Sequence, residues 1–295
     1  MELIKRLEKE NLISPPKWLA NNTAYATIMG SVAYEISNDY SDIDIYGFAL
    51  PKKEDLFPHL RGEILGFGTQ IQKFEQYQQH GIINPDKKDS TYDITIFSIV
   101  KYFQLAMENN PNILDSLFVP SKCIQHITPV GQIVRDNRKL FLHKGSFPKM
   151  KGYAYSQIHK MKIKNPQEGS KRWQDVQKHG FDLKFAVHVV RLLGEAEQIL
   201  LEGNLDLTKN KEQLKSIRRG EWTQENVEEY FNQKEKDLET LYTNSQLQVK
   251  PNENKIKQIL LSCLEEHYGD LSSAVVNVNA ADEALAKIKE IVNKF

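Results

Sequence analysis

The chain has 295 residues, 40% hydrophobic and 26% charged, an ordinary globular balance with room for one large domain or two medium ones. No apolar run nears the roughly 18 residues that a membrane span needs, and the polar amphipathic start MELIKRLEKENL is not a signal peptide. A cytoplasmic protein with no membrane partner is therefore expected. Net charge is zero but unevenly spread: residues 1–120 carry 11 basic against 16 acidic side chains, residues 121–221 carry 20 against 10, and residues 222–295 carry 8 against 13. A basic middle is either a solvated helical surface or the face offered to a phosphate-rich partner, a triphosphate or RNA. Cys123 and Cys263 have no ligand pattern around them and read as reduced, structural thiols. His59, His80, His126, His143 and His267 are scattered and support no zinc site.

In chain order, Leu3, Ile4, Leu7 and Leu12 give a helical stripe over 1–12, which Ser14-Pro15-Pro16 breaks. Residues 24–29 form a first strand, ended by Gly30-Ser31, and 31–38 hold about two helical turns. Residues 41–50 form a second strand, closed by Pro51. Residues 63–67 and 71–75 read as further strands, and 81–90 as a polar loop. Thr91–Ile96 alternates as a strand, followed by helices over 98–109 and 112–118. Beyond about residue 120 strand signals thin out. Helices are expected over 130–141, 152–164, 172–203 with a break at His179-Gly180, 211–219, 226–244, 254–267 and 280–295, with a short strand at 205–207. The chain thus divides into an α/β part, 1–120, and a mostly helical part, 121–295.

The chemistry gathers at Met29-Gly30-Ser31 and Ser41-Asp42-Ile43-Asp44-Ile45. Strand side chains alternate faces, so Asp42 and Asp44 share one face and Ile43 and Ile45 the other. Neighbouring carboxylates repel unless a cation sits between them, and hard divalent ions such as Mg²⁺ suit oxygen ligands and substrate phosphates. Gly-Ser upstream offers backbone N–H groups and a hydroxyl to phosphate, or is a plain turn with Ser31 as helix N-cap. The alternation at 91–96 puts Asp93 on one face with Thr91 and Thr95, as a third carboxylate. Lys184, His188 and Arg191 are spaced four and three apart and share one helix face, either as a phosphate-binding wall or as a solvated basic surface. Tyr153 and Gln157, four apart, either hold a nucleobase or pack in the core.

Gly30-Ser31, then Asp42-Ile43-Asp44, then Asp93 on a later strand resemble the polymerase-β-like nucleotidyltransferase superfamily. Five further segments narrow the likeness: Asn110-Pro111-Asn112-Ile113-Leu114-Asp115, Leu140–Lys144, Gly152–Gln157, Lys178–Leu193 and Ile217-Arg218-Arg219-Gly220-Glu221-Trp222. Their order and spacing are similar to the RNA-repair, or RNA-ligase-associated, branch found in bacteria and large phages, over roughly residues 22–265. Phe185 stands where a histidine is usual and Asp115 where a glutamate is usual. The resemblance implies an α+β fold, a polymerase-β-like mixed sheet with flanking helices followed by a mostly helical C-terminal domain. It implies two Mg²⁺ ions, with Mn²⁺ able to substitute, on Asp42, Asp44 and Asp93, with Asp93 also taking the acceptor's proton. Gly30, Ser31, Tyr153, Gln157, Lys184, His188 and Arg191 become the nucleotide-binding set. The implied reaction is NMP transfer from an NTP to an acceptor hydroxyl, with an RNA or tRNA 3′ end favoured. Competing readings are transfer to a protein or small molecule, and a catalytically idle RNA- or host-factor-binding module.

Overall fold

A computed structural model describes residues 1–38, 41–70, 72–87, 90–163 and 166–269, apart from the side chains of Arg61 and Lys171. Its centre is a mixed sheet of β1 (Thr23–Ile28), β2 (Ile43–Ala49), β3 (Gln76–Ile83), β4 (Thr91–Ser98) and β5 (Ile124–Ile127), in the order β3-β4-β2-β1-β5. β2 and β4 run parallel at the middle, and the other pairings are antiparallel. α1 (Glu2–Lys9) and α2 (Leu19–Asn22) cover one face, where Ile4, Leu7 and Leu19 meet Ile45, Ile94 and Ile96. α3 (Gly30–Ala33) and α4 (Lys53–Leu56) are single turns flanking β2. α5 (Ile99–Met107), α6 (Pro111–Phe118) and α7 (Pro129–Asp136) close the other face over Tyr25, Phe48 and Phe97. The same core continues into α8 (Ser146–Ile163), α9 (Lys171–His179), α10 (Leu183–Glu202), α11 (Lys211–Arg218), α12 (Gln224–Asn244) and α13 (Glu253–Tyr268).

Local chemistry explains these elements. Ser98, Asn110 and Thr128 cap α5, α6 and α7 by accepting backbone N–H bonds, and Pro111 and Pro129 open the latter two where no N–H is needed. The break expected near residue 180 is present: Gly180 ends α9 in the left-handed region, and Asp182 starts α10 by accepting from Lys184 N at 2.9 Å. α10 is buried on nearly all sides, as an apolar central helix should be.

Several expectations are corrected. Residues 63–67 make only an isolated bridge between Ile64 and Phe67, and 72–75 are irregular. Strand pairing starts at Gln76 and takes in residues expected as loop. A glutamine-rich strand at a sheet edge lacks the apolar alternation that announces a half-buried one. β5 was also missed, and since it comes from residues 124–127 the sheet extends past residue 120. The 31–38 helix shortens to α3 plus a turn, and 205–207 are not strand. The helix expected over 280–295 lies outside the described residues. Among the described residues no helix is long and apolar enough to cross a membrane.

Gly47 tests the β1–β2 contact, because a Cβ there would meet Tyr25 O at 2.0 Å and Ala26 Cα at 2.9 Å. Gly47→Ala is expected to cost about 1–3 kcal/mol in urea unfolding. Gly152→Ala, at an open position of α8, is expected to stabilise by up to about 1 kcal/mol.

Candidate active site

The β2–β4 register sets Asp44 directly beside Asp93, with Tyr46 beside Thr95 and Phe48 beside Phe97. These pairs share one face; the phenylalanine end is covered by helices and the aspartate end stays accessible. Asp44 is half-buried, and no described residue donates a hydrogen bond to its carboxylate. Burial raises its pKa, Asp93 and Asp42 push it further up, and Lys184 pulls it back. Gly30, at φ +62°, lies against it: a Cβ there would fall 2.1 Å from Asp44 Oδ2. Met29 N donates to Asp44 O at 2.7 Å and fixes the turn to the strand. Tyr46 lies beyond Asp44 on the same face, paired with Thr95, whose buried Oγ1 has no hydrogen-bond partner among the described residues.

Asp42 lies just before β2, whose first residue is Ile43, and is exposed. Its Oδ1 accepts from Thr91 Oγ1 at 2.9 Å and Thr91 N at 3.3 Å. Asp93 is held from the other side. β3 bulges between Gln79 and Ile82, so that Gly81 N donates to Asp93 Oδ1 at 2.8 Å and His80 Nδ1 sits 3.2 Å from Oδ2. His80 and Gly81 went unrecognised in the sequence. The signal was a glycine, at φ +63°, inside a run that continues as Ile82-Ile83.

A half-buried carboxylate without a hydrogen-bond donor among the described residues, flanked by two more carboxylates, has the oxygen donor set of a hard divalent cation. Asp42, Asp44 and Asp93 therefore fit an ion, although among the described residues no three His, Cys, Asp or Glu side chains are already drawn together around one point.

The basic wall is only partly as expected. Lys184 is exposed and acts on Asp44. His188, one turn on, is held neutral: burial drives its pKa down to about 3, helped by Arg191, Lys184, Arg172 and Lys160. Arg191 is not on the wall. It is 6% exposed and donates to Tyr34 Oη, Asp115 Oδ2 and Glu195 Oε1, the last at 3.3 Å. One guanidinium facing two buried carboxylates leaves an excess negative charge, so burial pushes Glu195 well above the usual carboxylate range. Arg172 is also occupied, by Asp182 at 2.5 Å and the Phe185 ring at 4.4 Å. Ser31 does not cap α3, whose N-cap is Met29. Tyr153 is 41% exposed in a shallow depression with Pro148, Lys149, Gly152 and Ser156. Gln157, one turn further along α8, is half-buried.

The segment after Gly30-Ser31 is held from the C-terminal helices at three consecutive residues. Arg191 bonds Tyr34, Lys211 bonds Glu35 at 2.7 Å, and Arg218 bonds Ile36 O. Lys122 joins Glu35, whose pKa these two lysines lower to about 2. Part of the basic middle is thus spent inside the protein.

Residues 2–285 match a family described as the RNA repair pathway DNA polymerase beta family. Comparison with curated proteins returns no match.

Removing Arg191 strands Asp115 and Glu195, so Arg191→Ala is expected to lose about 3–5 kcal/mol of unfolding free energy, against about 0.5 kcal/mol or less for Lys184→Ala. His188 has a folded pKa below its unfolded value near 6.5, so its contribution is full above that value and is lost as pH falls toward about 3. The wild type is therefore expected to lose roughly 1–2 kcal/mol more than His188→Gln between pH 7 and pH 5, read from urea midpoints.

Proposed function

Because the chain belongs to the RNA repair pathway DNA polymerase beta family, we propose that it transfers an NMP from an NTP to the 3′ hydroxyl of an RNA, such as a tRNA, in a reaction that depends on a divalent metal and releases pyrophosphate. The pairing of Asp44 with Asp93, with Gly30 packed on Asp44, carries this reading. Few structural needs other than cation and phosphate binding would put two carboxylates at directly paired positions of parallel strands.

Asp42, Asp44 and Asp93 would hold Mg²⁺ or Mn²⁺, which when bound neutralises phosphate charge and favours ionisation of the attacking hydroxyl. The chain's own groups do the rest. The Gly30-Ser31 turn gives the triphosphate a close backbone approach. Lys184 supplies positive charge opposite Asp44. Neutral His188 offers a hydrogen bond without adding to that charge. The acceptor oxygen forms a bond to the α-phosphorus, the bond to pyrophosphate breaks, and Asp93 takes the hydroxyl proton. Positioning and charge neutralisation carry most of the rate enhancement.

Incubation with Mg²⁺ or Mn²⁺, each α-³²P-labelled NTP, and tRNA or total protein tests the reading. Label is expected on RNA, with Asp44→Ala and Asp93→Asn lowering it by more than about a hundredfold while the far-ultraviolet circular dichroism is unchanged. Label on protein alone would move the acceptor, and no label with any metal, NTP or acceptor would refute transfer.

A further inference from the structure

Across the sheet, the site is ordered from the Gly30 turn to Asp44, Asp93 and then His80. β3 continues this line. Gln78 pairs with Thr95 and Gln76 with Phe97, so both glutamines stand on the carboxylate face of the sheet. Their side chains form a hydrogen-bonded row. Gln76 Nε2 donates to Gln78 Oε1 at 3.2 Å, Gln78 Nε2 lies 2.7 Å from His80 Nε2, and His80 Nδ1 reaches Asp93. All three residues are exposed, and Lys101 stands beyond the far end, 3.9 Å from Glu75. From Gln76 to His80 this face of the edge strand carries only exposed polar side chains, ending on a candidate catalytic carboxylate, and packing does not explain them; the exposed apolar Ile83 lies on the same face past the bulge.

We propose that Gln76, Gln78 and His80 form the track along which the 3′-terminal nucleotides of a single-stranded RNA acceptor reach Asp93, a proposal that rests on the nucleotidyl-transfer reading. In-line displacement puts the attacking hydroxyl and the leaving pyrophosphate on opposite sides of the α-phosphate. The Gly30 turn and Lys184 lie on the Asp44 side and suit the pyrophosphate, so the hydroxyl enters from the β3 side. Each glutamine carries a donor and an acceptor, and the imidazole can supply either, which matches unpaired base edges and the ribose 2′-hydroxyl. A peptide would instead pair with the backbone of the free edge and leave the side-chain row unused.

The test uses the full chain, a short fluorescent single-stranded RNA, and α,β-methylene-ATP as a non-reacting nucleotide. Gln76→Ala/Gln78→Ala is expected to weaken RNA binding by about 10-fold, from two lost hydrogen bonds. Gln78→Glu, which replaces the amide donor with a charge repelling phosphate, is expected to do at least as much. Nucleotide affinity is expected to stay within about twofold in both variants. With 4-thiouridine at the RNA 3′ end, the cross-link is expected in the peptide holding residues 76–80. Unchanged RNA binding in the variants, parallel loss of RNA and nucleotide binding, a cross-link in α8 or α10, or no RNA binding by the wild type would each overturn the track. RNA bound through the row with no NMP transferred would instead sink the transfer reading alone. Transfer to RNA with an unchanged RNA KM in the glutamine variants would sink the track alone.

Discussion

The parallel pairing of β2 with β4 is the constraint on which the site depends. It forces Asp44 and Asp93 side by side, and like charges at directly paired positions are unfavourable. The register is held because a one-residue slip would turn Ile45, Ile94 and Ile96 out of the core beneath α1 and α2 and bring the aspartates into it. Hydrophobic burial on one face thus maintains electrostatic strain on the other. The strain is partly relieved for Asp93, through Gly81 and His80, and for Asp42, through Thr91. For Asp44 it is offset by the charge of Lys184 and by no hydrogen bond among the described residues, and its pKa still rises, chiefly from burial.

The C-terminal helices complete this arrangement. Three cations from α10 and α11 reach the three residues that follow the Gly30-Ser31 turn. The turn leans on Asp44, so the placement of the carboxylate is linked to helices more than 150 positions away in the chain, as in the contact of Arg191 with Tyr34. α10 itself passes from surface to core: Lys184 is exposed, His188 intermediate and Arg191 buried. One helix therefore supplies both the charge facing Asp44 and the strut that positions the turn.

What the sequence disclosed follows from periodicity. Alternation at 41–45 and 91–96 was enough to put Asp44 and Asp93 on one face each, and the glycine at 180 was enough to split the long helix. Periodicity also grouped Lys184, His188 and Arg191, correctly as neighbours on a helix. It carries no information on how deep each turn of that face lies, so Arg191 was read as part of an open wall. β3 was illegible for a related reason. Its exposed face is Gln76, Gln78 and His80, so the apolar signal of a strand is missing, and the bulge that turns His80 and Gly81 onto Asp93 breaks what alternation remains. The segment order that resembled the RNA-repair branch agrees with the family matched over residues 2–285.

The net charge of the basic middle must therefore be read after subtracting its internal partners. Arg172 is matched by Asp182, Arg191 by Asp115 and Glu195, Lys211 by Glu35, and Lys162 by Glu228. Arg218 is spent on a backbone carbonyl. Lys184 and Lys160 are left as exposed lysines whose charge reaches His188, and Lys184 alone of the two is among the charges acting most strongly on Asp44. Under the proposed transfer reading, Lys184 does not by itself balance three carboxylates and a triphosphate together. Divalent ions would supply the missing charge, and the neutrality of His188 keeps the protein from supplying it in advance. On that same proposed reading, a site arranged in this way would gain its affinity for phosphate when metal and nucleotide arrive together.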